Sequence, residues 1–371
     1  CNNAHEPIRV VLPNMGEKRP CGKTSDFPGT TQSCLQCCCA AKILGKKHRF
    51  TTYLPLMQIL FSSETDPTLN AAIEERLFRA APLKPTLLFY RNAPAVLLGR
   101  NQNPWQECNI RWCRSNGVAV LRRLSGGGTV FHDLGNLNYA FIVARSDYDQ
   151  QRYLQCISDA LQAAGINGAR LCEHFSIWVG DHKVAGSAFA LSGRAALLHG
   201  CLLVNTNLEQ LHQALHQDPR DHFIAATVAS VRVPVKNLRD VNSAVNSANV
   251  QDAICTAAQT LGCKGKITTV TASDFSDDSA FATAVSNFAS DTWTFSRTAD
   301  FTLERQCPSG SASLDVSLGR IRQAILRSPD GCHNLPQLQG LSMEDALDTL
   351  ELLHATDDTE NTTPQNFAAF P

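Results

Sequence analysis

Residues 126–128 are three consecutive glycines between two segments of strand-type sequence. An apolar run, 118–121, precedes them, and the segments 129–131 and 138–143 after them are again apolar and strand-like. A Rossmann or Walker phosphate loop opens directly into a helix, so this order disfavours both. Glycines between strands let peptide N–H groups approach an anionic ligand closely. Taken alone, they fit a flexible or bulged turn equally well.

Two arginines precede the glycines, and a lysine lies further along the chain. Because side chains alternate along a strand, either Arg122 or Arg123 is expected to face the ligand, and the pattern leaves open which. Lys183 lies on the returning strand of a predicted hairpin whose turn is Gly180-Asp181. There it can stabilise negative charge on a carbonyl oxygen or a phosphate. A single strand lysine is more commonly solvated.

Other polar residues near these motifs carry less information. His132, Asp133 and His199 each fit a structural role as well as a ligand contact. Gly-x-Ser-x-Gly and His-Glu-x-x-His are absent, which disfavours serine-nucleophile and zinc-protease chemistry. The cysteines at 34–39 have no second pair of ligands nearby, so a zinc site is disfavoured and no metal is expected.

Composition excludes several classes of partner. The 33 Lys and Arg nearly balance the 34 Asp and Glu, which argues against binding nucleic acid through its phosphates. The 15 cysteines are scattered along a long chain, so we expect them to be reduced. No apolar run reaches the length of a membrane span. Residues 1–50 are basic, as in a mitochondrial transit segment, and predict a disordered leader and a location in the mitochondrial matrix.

Periodicity predicts the elements of the first domain. Residues 66–80 and 153–164 are expected to be helical, with Glu74 and Glu75 turned largely away from the apolar face of the first helix. The segments 86–90 and 95–98 are expected to form a strand pair joined by a turn.

A change of composition predicts where that domain ends. Ser, Asp, Ala and Thr dominate after residue 270, so we place a linker at 271–291 between a domain at 51–270 and a second at 292–371. Within the second domain, strands, a helix near 321–326 and a helix over 342–354 predict a small α+β fold.

Four motifs together resemble the lipoate-protein ligase A family. They are residues 122–138 with the two arginines, Ser-Gly-Gly-Gly and Val-Phe-His-Asp, then 183–188, 199–203 and 230–238. The segment 101–109 resembles the animal mitochondrial lipoyltransferase branch. The resemblance covers 54–238, and more weakly the segment from Trp293. It implies an α/β (α+β) fold like that of biotin and lipoate protein ligases, with mixed and antiparallel sheets flanked by helices and a small C-terminal α+β accessory domain.

The resemblance also implies an activity. Lys183 would be the central catalytic residue, and the expected lipoyl-AMP-binding residues are Arg122, Arg123, Ser125, Gly126, Gly127, Gly128, Phe131, His132, His174, Gly186, Ser187, Cys201 and Ser230. A lipoyl or octanoyl group, taken from lipoyl-AMP or a lipoyl-carrying protein, would form an amide with a lysine of the lipoyl domains of 2-oxoacid dehydrogenase E2 subunits. The glycine-cleavage H protein is a further expected acceptor, and a monomer is expected.

Two departures from the family pattern keep alternatives open. His174-Phe175-Ser176-Ile177 stands where the family usually carries Arg or Asn-rich sequence, and residues 296–300 replace a Gly-x-Thr-Pro segment, so the accessory domain looks abbreviated. The alternatives are a full ligase that uses ATP and Mg²⁺, a non-catalytic scaffold, and a thioester acyltransferase with Cys201 as nucleophile. A biotin ligase is disfavoured because no Gly-Arg-Gly-Arg-like loop is present.

Overall fold

The structure is a computed structural model that describes residues 56–80, 84–172, 174–308 and 310–360, the last eight of them as backbone. The predicted leader, its cysteine cluster and the end of the tail lie outside these residues. Within them, no helix combines the length and apolar character needed to cross a membrane.

The strands are β1 Met57–Ser62, β2 Thr86–Tyr90, β3 Ala95–Leu98, β4 Ala119–Arg122, β5 Val130–His132, β6 Asn136–Ala144, β7 Arg170–Leu171, β8 Ile177–Val179, β9 His182–Leu191, β10 Ala195–Leu203, β11 Asp221–Ala225, β12 Cys263–Val270, β13 Phe301–Cys307, β14 Gly310–Ser317, β15 Arg320–Ser328 and β16 Gly331–Asn334. The helices are α1 Pro67–Ala80, α2 Pro104–Glu107, α3 Ile110–Ser115, α4 Gln150–Ala163, α5 Leu208–Ala214, α6 Leu238–Val241, α7 Ser247–Ala257, α8 Ser279–Phe288 and α9 Met343–Glu360.

The described strands form three sheets. An eight-stranded mixed sheet has the order β12-β1-β2-β6-β10-β9-β8-β7, in which β12, β1 and β2 are parallel and the remaining pairs antiparallel. A small sheet, β4-β3-β5, carries the glycine loop between its two outer strands. The third sheet, β11-β13-β14-β15-β16, is antiparallel. The predicted mixed α/β (α+β) fold is confirmed.

The eight-stranded sheet has helices on both faces. Alternate residues of β6 pack on opposite sides: Phe141 joins the core beneath α4 and α7, and Ile142 joins the core beneath α1 and α8. Because both faces are covered, β6 is apolar along most of its length. Its buried asparagines, Asn136 and Asn138, lie at the start of the strand.

Trp105 joins the first part of the fold to the C-terminal sheet. Its ring lies 5.6 Å from that of Phe295 and 5.5 Å from that of Phe301, between ring centroids, and its indole N–H donates to Glu344 Oε1 of α9 at 3.0 Å. An aromatic ring that is apolar on its faces and polar at its N–H suits such a junction. The two parts are therefore packed against each other.

The structure corrects the predicted pairing of 86–90 with 95–98. β2 pairs with β1 and β6 in the large sheet, whereas β3 pairs with β4 and β5 in the small one. Both strands are buried along their whole length, and a continuous apolar run does not specify its partners. The helix predicted near 321–326 is likewise wrong, because these residues lie within β15, the fourth of the five strands of the antiparallel sheet. Short apolar runs do not distinguish a helix from a strand.

Two further expectations concern acidic residues and the linker. Glu74 and Glu75 are buried in α1, contrary to prediction, because Glu74 bonds to His199 and Tyr90 while Glu75 pairs with Arg79. The segment 271–291 contains α8, whose Phe281 and Phe288 pack in the core beside α1, so this part of the predicted linker is a packed helix. Strand β11, from within 51–270, belongs to the C-terminal sheet.

Candidate active site

The glycine loop connects β4 to β5 and closely approaches two other segments. Gly127 has a positive φ of 86°, which favours glycine. A Cβ on Gly99 would collide with the Gly127 carbonyl oxygen, so the two backbones touch. A Cβ on Gly128 would lie 3.0 Å from Ser230 Oγ. The loop requires small residues because its neighbours contact the backbone itself.

The buried side chain of Arg123 forms hydrogen bonds with the carbonyl oxygens of this loop. Its Nη2 donates to the carbonyl oxygens of Gly126 and Gly128, both at 2.7 Å, and its Nη1 donates to Leu97 O at 2.8 Å. In a trans peptide the N–H points opposite to the C=O, so the Gly127 N–H is directed away from the guanidinium. Burial lowers the pKa of Arg123 to about 10, which keeps it charged at neutral pH. The arginine orients the loop amides for an anion.

Arg122 is turned in another direction and is buried. Its guanidinium donates to Gln102 O at 2.7 Å and Arg100 O at 3.0 Å, and to Thr294 O at 2.6 Å and Thr298 Oγ1 at 2.9 Å. It thus joins the segment after β3 to the segment before the C-terminal sheet. Neither arginine lines the cavity described below. The sequence left open which of the two arginines faces the ligand. In the structure, both arginines bind the protein's own backbone.

Lys183 lies in a cavity of about 220 Å³ beside the glycine loop. Its backbone is fixed on both sides, since its N–H donates to Pro234 O at 2.9 Å and its C=O accepts from Lys236 N at 3.2 Å. The side chain runs over Gly186, where a Cβ would come within 3.3 Å of Nζ. Burial lowers the pKa of Lys183 from its ordinary value. The site therefore holds a cation in a partly dehydrated place, where it interacts strongly with negative charge.

The rest of the cavity has a polar and an apolar lining. Glu107, Thr129, His212, Ser230 and Arg232 line it together with Lys183. Its apolar walls come from β5, β10, α5 and the segment before α6, with Phe131, Leu203, Leu211, Leu215, Val231, Val233 and Val235. Such a site accepts a ligand that has both a carbonyl or phosphate group and a hydrocarbon chain.

Cys201 lies in the wall of this cavity with its thiol buried. Asn136 Nδ2 donates to its Sγ at 3.0 Å, and burial raises the pKa of the thiol to about 12. At neutral pH this thiol is protonated and a poor nucleophile. The geometry therefore favours Cys201 as a wall of the cavity over Cys201 as an acyl-carrying thiolate.

Ser230 forms hydrogen bonds with Gln102, Glu107 and Thr129. We call these four residues the Ser230 latch. Its Oγ accepts from Thr129 N at 2.8 Å and from Gln102 Nε2 at 2.9 Å, and it donates to Glu107. Glu107 Oε1 also accepts the Ser230 N–H at 3.0 Å. The latch ties the glycine loop to the valine-rich segment 231–235 that walls the cavity. Sequence reasoning missed Gln102 and Glu107, although both lie in the segment 101–109 that resembles one branch of the family.

The predicted site residues thus fall into two groups. The cavity brings together Lys183, Phe131, Gly186, Cys201 and Ser230. The other predicted residues do not line this cavity, and they are Arg122, Arg123, Ser125, Gly126, Gly127, Gly128, His132, His174 and Ser187.

His174 and Ser187 lie together at the end of the hairpin that carries Lys183. His174 is exposed, and Ser187 Oγ donates to Phe175 O at 2.6 Å. His132 is buried: its Nδ1 lies 3.1 Å from Asn92 Nδ2, its Nε2 has no hydrogen-bond partner among the described residues, and burial lowers its pKa to about 3. His132 is therefore neutral at pH 7.

Comparison with known proteins identifies related chains. Residues 66–259 match the lipoyl protein ligase A/B catalytic domain. Lipoate-protein ligase A of Psychrobacter cryohalolentis is 41% identical over 202 residues, which make up 54% of this chain and 59% of that protein. A Schizosaccharomyces pombe protein named for the same ligase is 30% identical over 294 residues, covering 74% of this chain and 80% of that protein.

Solved structures show the same fold. P. falciparum LipL1 in complex with lipoate has a TM-score of 0.55 at 20% identity and covers 84% of this chain and 96% of that chain. A bi-partite lipoate protein ligase of Thermoplasma acidophilum, described with its E2 lipoyl domain, has a TM-score of 0.53 at 24% identity and covers 65% and 96%. At these identities the likeness establishes the fold, and together with the family match it shows that this chain belongs to the lipoate-protein ligase family of lipoyl-transferring enzymes.

Proposed function

We propose that this protein transfers a lipoyl or octanoyl group from lipoyl-AMP to a lysine of a lipoyl domain of a 2-oxoacid dehydrogenase E2 subunit. The observation that carries the proposal is Lys183, a partly dehydrated cation in a cavity with apolar walls beside the glycine loop. The apolar walls suit the acyl chain, and the lysine suits the mixed anhydride. The glycine-cleavage H protein is a second proposed acceptor.

The reaction exchanges one bond at the acyl carbonyl carbon. The acceptor amine forms the new C–N bond, the C–O bond to the phosphate of AMP breaks, AMP leaves, and the amine loses its proton. Charge builds on the carbonyl oxygen and the leaving phosphate. Lys183 Nζ and the outward Gly127 N–H stabilise that charge, and the cavity holds the chain so that the attack is on a positioned carbonyl.

Two alternatives share this site. A full ligase would also form lipoyl-AMP from lipoate and ATP with Mg²⁺. A donor that carries its lipoyl group on a lysine would replace lipoyl-AMP altogether. Both leave Lys183 at the acyl carbonyl, so they differ in the donor that is consumed rather than in the acceptor that is modified.

The test is mass spectrometry of an apo lipoyl domain incubated with the protein. Three donors are compared: lipoyl-AMP, lipoate with ATP and Mg²⁺, and a lipoylated H protein. We expect a lipoyl mass gain with lipoyl-AMP that is lost in Lys183→Ala. A gain with lipoate and ATP, with release of pyrophosphate, identifies a full ligase, and a gain from the H protein identifies a protein donor. A folded wild-type protein that modifies nothing in any arm contradicts the proposal and favours a scaffold.

Further measurements check the remaining proposals. The basic leader motivates a mitochondrial matrix location, which imaging of the tagged full-length chain tests. A monomer is expected from light scattering. Trapping of a thioester on Cys201 would contradict direct transfer from lipoyl-AMP, whereas Cys201→Ala with activity near that of wild type supports it.

A further inference from the structure

A chain of buried hydrogen bonds runs beneath the glycine loop. Glu74 Oε1 in α1 lies 2.9 Å from Nδ1 of His199 in β10, and His199 Nε2 lies 2.7 Å from Ser125 Oγ. Glu74 and His199 are each 7% exposed, and Ser125 is fully buried. Arg123 Nε donates to the same Ser125 oxygen at 2.9 Å. The chain thus connects the first helix to the arginine that holds the loop.

The order of these groups is that of the Ser–His–acid sites of hydrolases, but the geometry excludes that role. A nucleophilic serine must reach a substrate carbonyl, whereas Ser125 has no exposed surface. Its oxygen also accepts a hydrogen bond from a guanidinium, which lowers its nucleophilicity. The groups of this chain therefore form their hydrogen bonds with other protein groups rather than with a substrate.

The donors and acceptors of this chain can be assigned from the chemistry of Glu74, His199 and Ser125. The Glu74 carboxylate can only accept, so His199 Nδ1–H donates to it. We assign the second ring nitrogen, Nε2, as the acceptor of the Ser125 O–H across their 2.7 Å contact. The Ser125 oxygen is free to accept from Arg123 Nε, and this holds the guanidinium whose Nη2 binds the carbonyls of Gly126 and Gly128. The proton positions follow from the carboxylate at one end of the chain.

We propose that Glu74 and His199 are positioning residues for the acyl-adenylate: through Ser125 and Arg123 they keep the Gly127 N–H directed at the ligand. This assignment rests on the proposed function for its ligand. Its structural part concerns the glycine loop itself and can be measured without any ligand.

The test uses two polar variants that break different links. In His199→Asn the side-chain amide lies near the position of Nδ1, so it keeps Glu74 and loses Ser125. In His199→Gln the amide reaches the position of Nε2, so it keeps Ser125 and loses Glu74. The matched control is Tyr90→Phe, which removes the Tyr90 O–H that donates to Glu74 Oε2 at 3.2 Å but leaves the chain to Ser125 intact.

Two readouts are compared across these proteins: hydrogen–deuterium exchange of the backbone amides of 126–129 without ligand, and KM and kcat for lipoyl-AMP. For His199→Asn we expect faster exchange of the loop amides and a kcat/KM for lipoyl-AMP about tenfold lower, the effect of losing about one net hydrogen bond, with part of the loss in kcat because the Gly127 N–H also stabilises the charge that builds during the reaction. His199→Gln should show smaller changes, and Tyr90→Phe should leave exchange and KM unchanged.

The outcomes separate this assignment from the proposed function. If His199→Asn exchanges its loop amides as wild type does, the positioning role is wrong, even if lipoyl transfer is observed. If loop exchange rises but the wild-type protein neither binds nor uses lipoyl-AMP, the positioning role stands and the proposed donor is wrong. If His199→Asn does not fold, His199→Gln, which replaces more of the ring volume, gives the same readouts.

Discussion

Ser230→Ala tests whether residue 230 acts by holding the cavity together or by touching the ligand. The change removes an oxygen that accepts from Thr129 N at 2.8 Å and Gln102 Nε2 at 2.9 Å and donates to Glu107. A net hydrogen bond contributes about 1 kcal/mol and one to a carboxylate about twice that, so with partial relaxation we expect a loss of about 3 kcal/mol in the free energy of unfolding. The segment 231–235 should loosen over the cavity, weakening lipoyl-AMP binding.

Glu107→Gln provides the matched background. Glutamine keeps the shape of the side chain and can still accept the Ser230 N–H, which Glu107 Oε1 holds at 3.0 Å. The serine hydroxyl then meets a neutral amide, so Ser230→Ala should cost about 1 kcal/mol less than in wild type. Urea unfolding of the four proteins measures this coupling, and calorimetric titration with lipoyl-AMP measures binding.

Two results would refute the reasoning. If the two substitutions are additive to within about 0.5 kcal/mol, Ser230 and Glu107 do not act as one latch. If Ser230→Ala is as stable as wild type but binds lipoyl-AMP weakly, the hydroxyl contacts the ligand directly.

Three other predictions concern the loop and its lysine. Arg122→Ala should lower the free energy of unfolding by about 3–5 kcal/mol, because several buried carbonyls lose their donor; a denaturation midpoint close to that of wild type would contradict this. Gly99→Ala should displace the Gly127 carbonyl and weaken lipoyl-AMP binding. Gly117→Ala, at a glycine with φ of 67° whose added Cβ meets no described residue within 4 Å, should lower stability but leave binding unchanged in the same titration. Burial lowers the pKa of Lys183 below 10.5, so folding is opposed while the lysine is charged. Lys183→Met should therefore be more stable than wild type at pH 7, by a margin that shrinks as pH rises towards 10.5 in urea unfolding, while transfer is abolished at every pH; lower stability at pH 7 would refute the effect of burial.

Local sequence was sufficient for several parts of the site. Three glycines between strands excluded a loop that opens into a helix, and the structure confirms that β5 follows them. The turn Gly180-Asp181 placed Lys183 on a returning strand, and β9 begins at His182. These predictions succeeded because a glycine run and a two-residue turn act through the backbone conformation of adjacent residues.

The roles of the polar residues required the tertiary structure. Glu107 and Ser230 are 123 positions apart, and Glu74 and His199 are 125 positions apart, so no local pattern relates the partners. Helical periodicity alone placed Glu74 away from the apolar face. A carboxylate is buried there only because its partners arrive from other elements, since burial of an unpaired charge is costly.

The sequence by itself determined the strand–glycine–strand order, the hairpin with its lysine and the family to which these motifs point. The tertiary structure decided that both arginines bind backbone carbonyls, that β2 and β3 belong to different sheets, and that β11 joins the C-terminal sheet. The physical reason is that backbone conformation depends on neighbouring residues. Hydrogen-bond partners and neighbouring strands depend instead on which distant segments pack against each other in the folded chain.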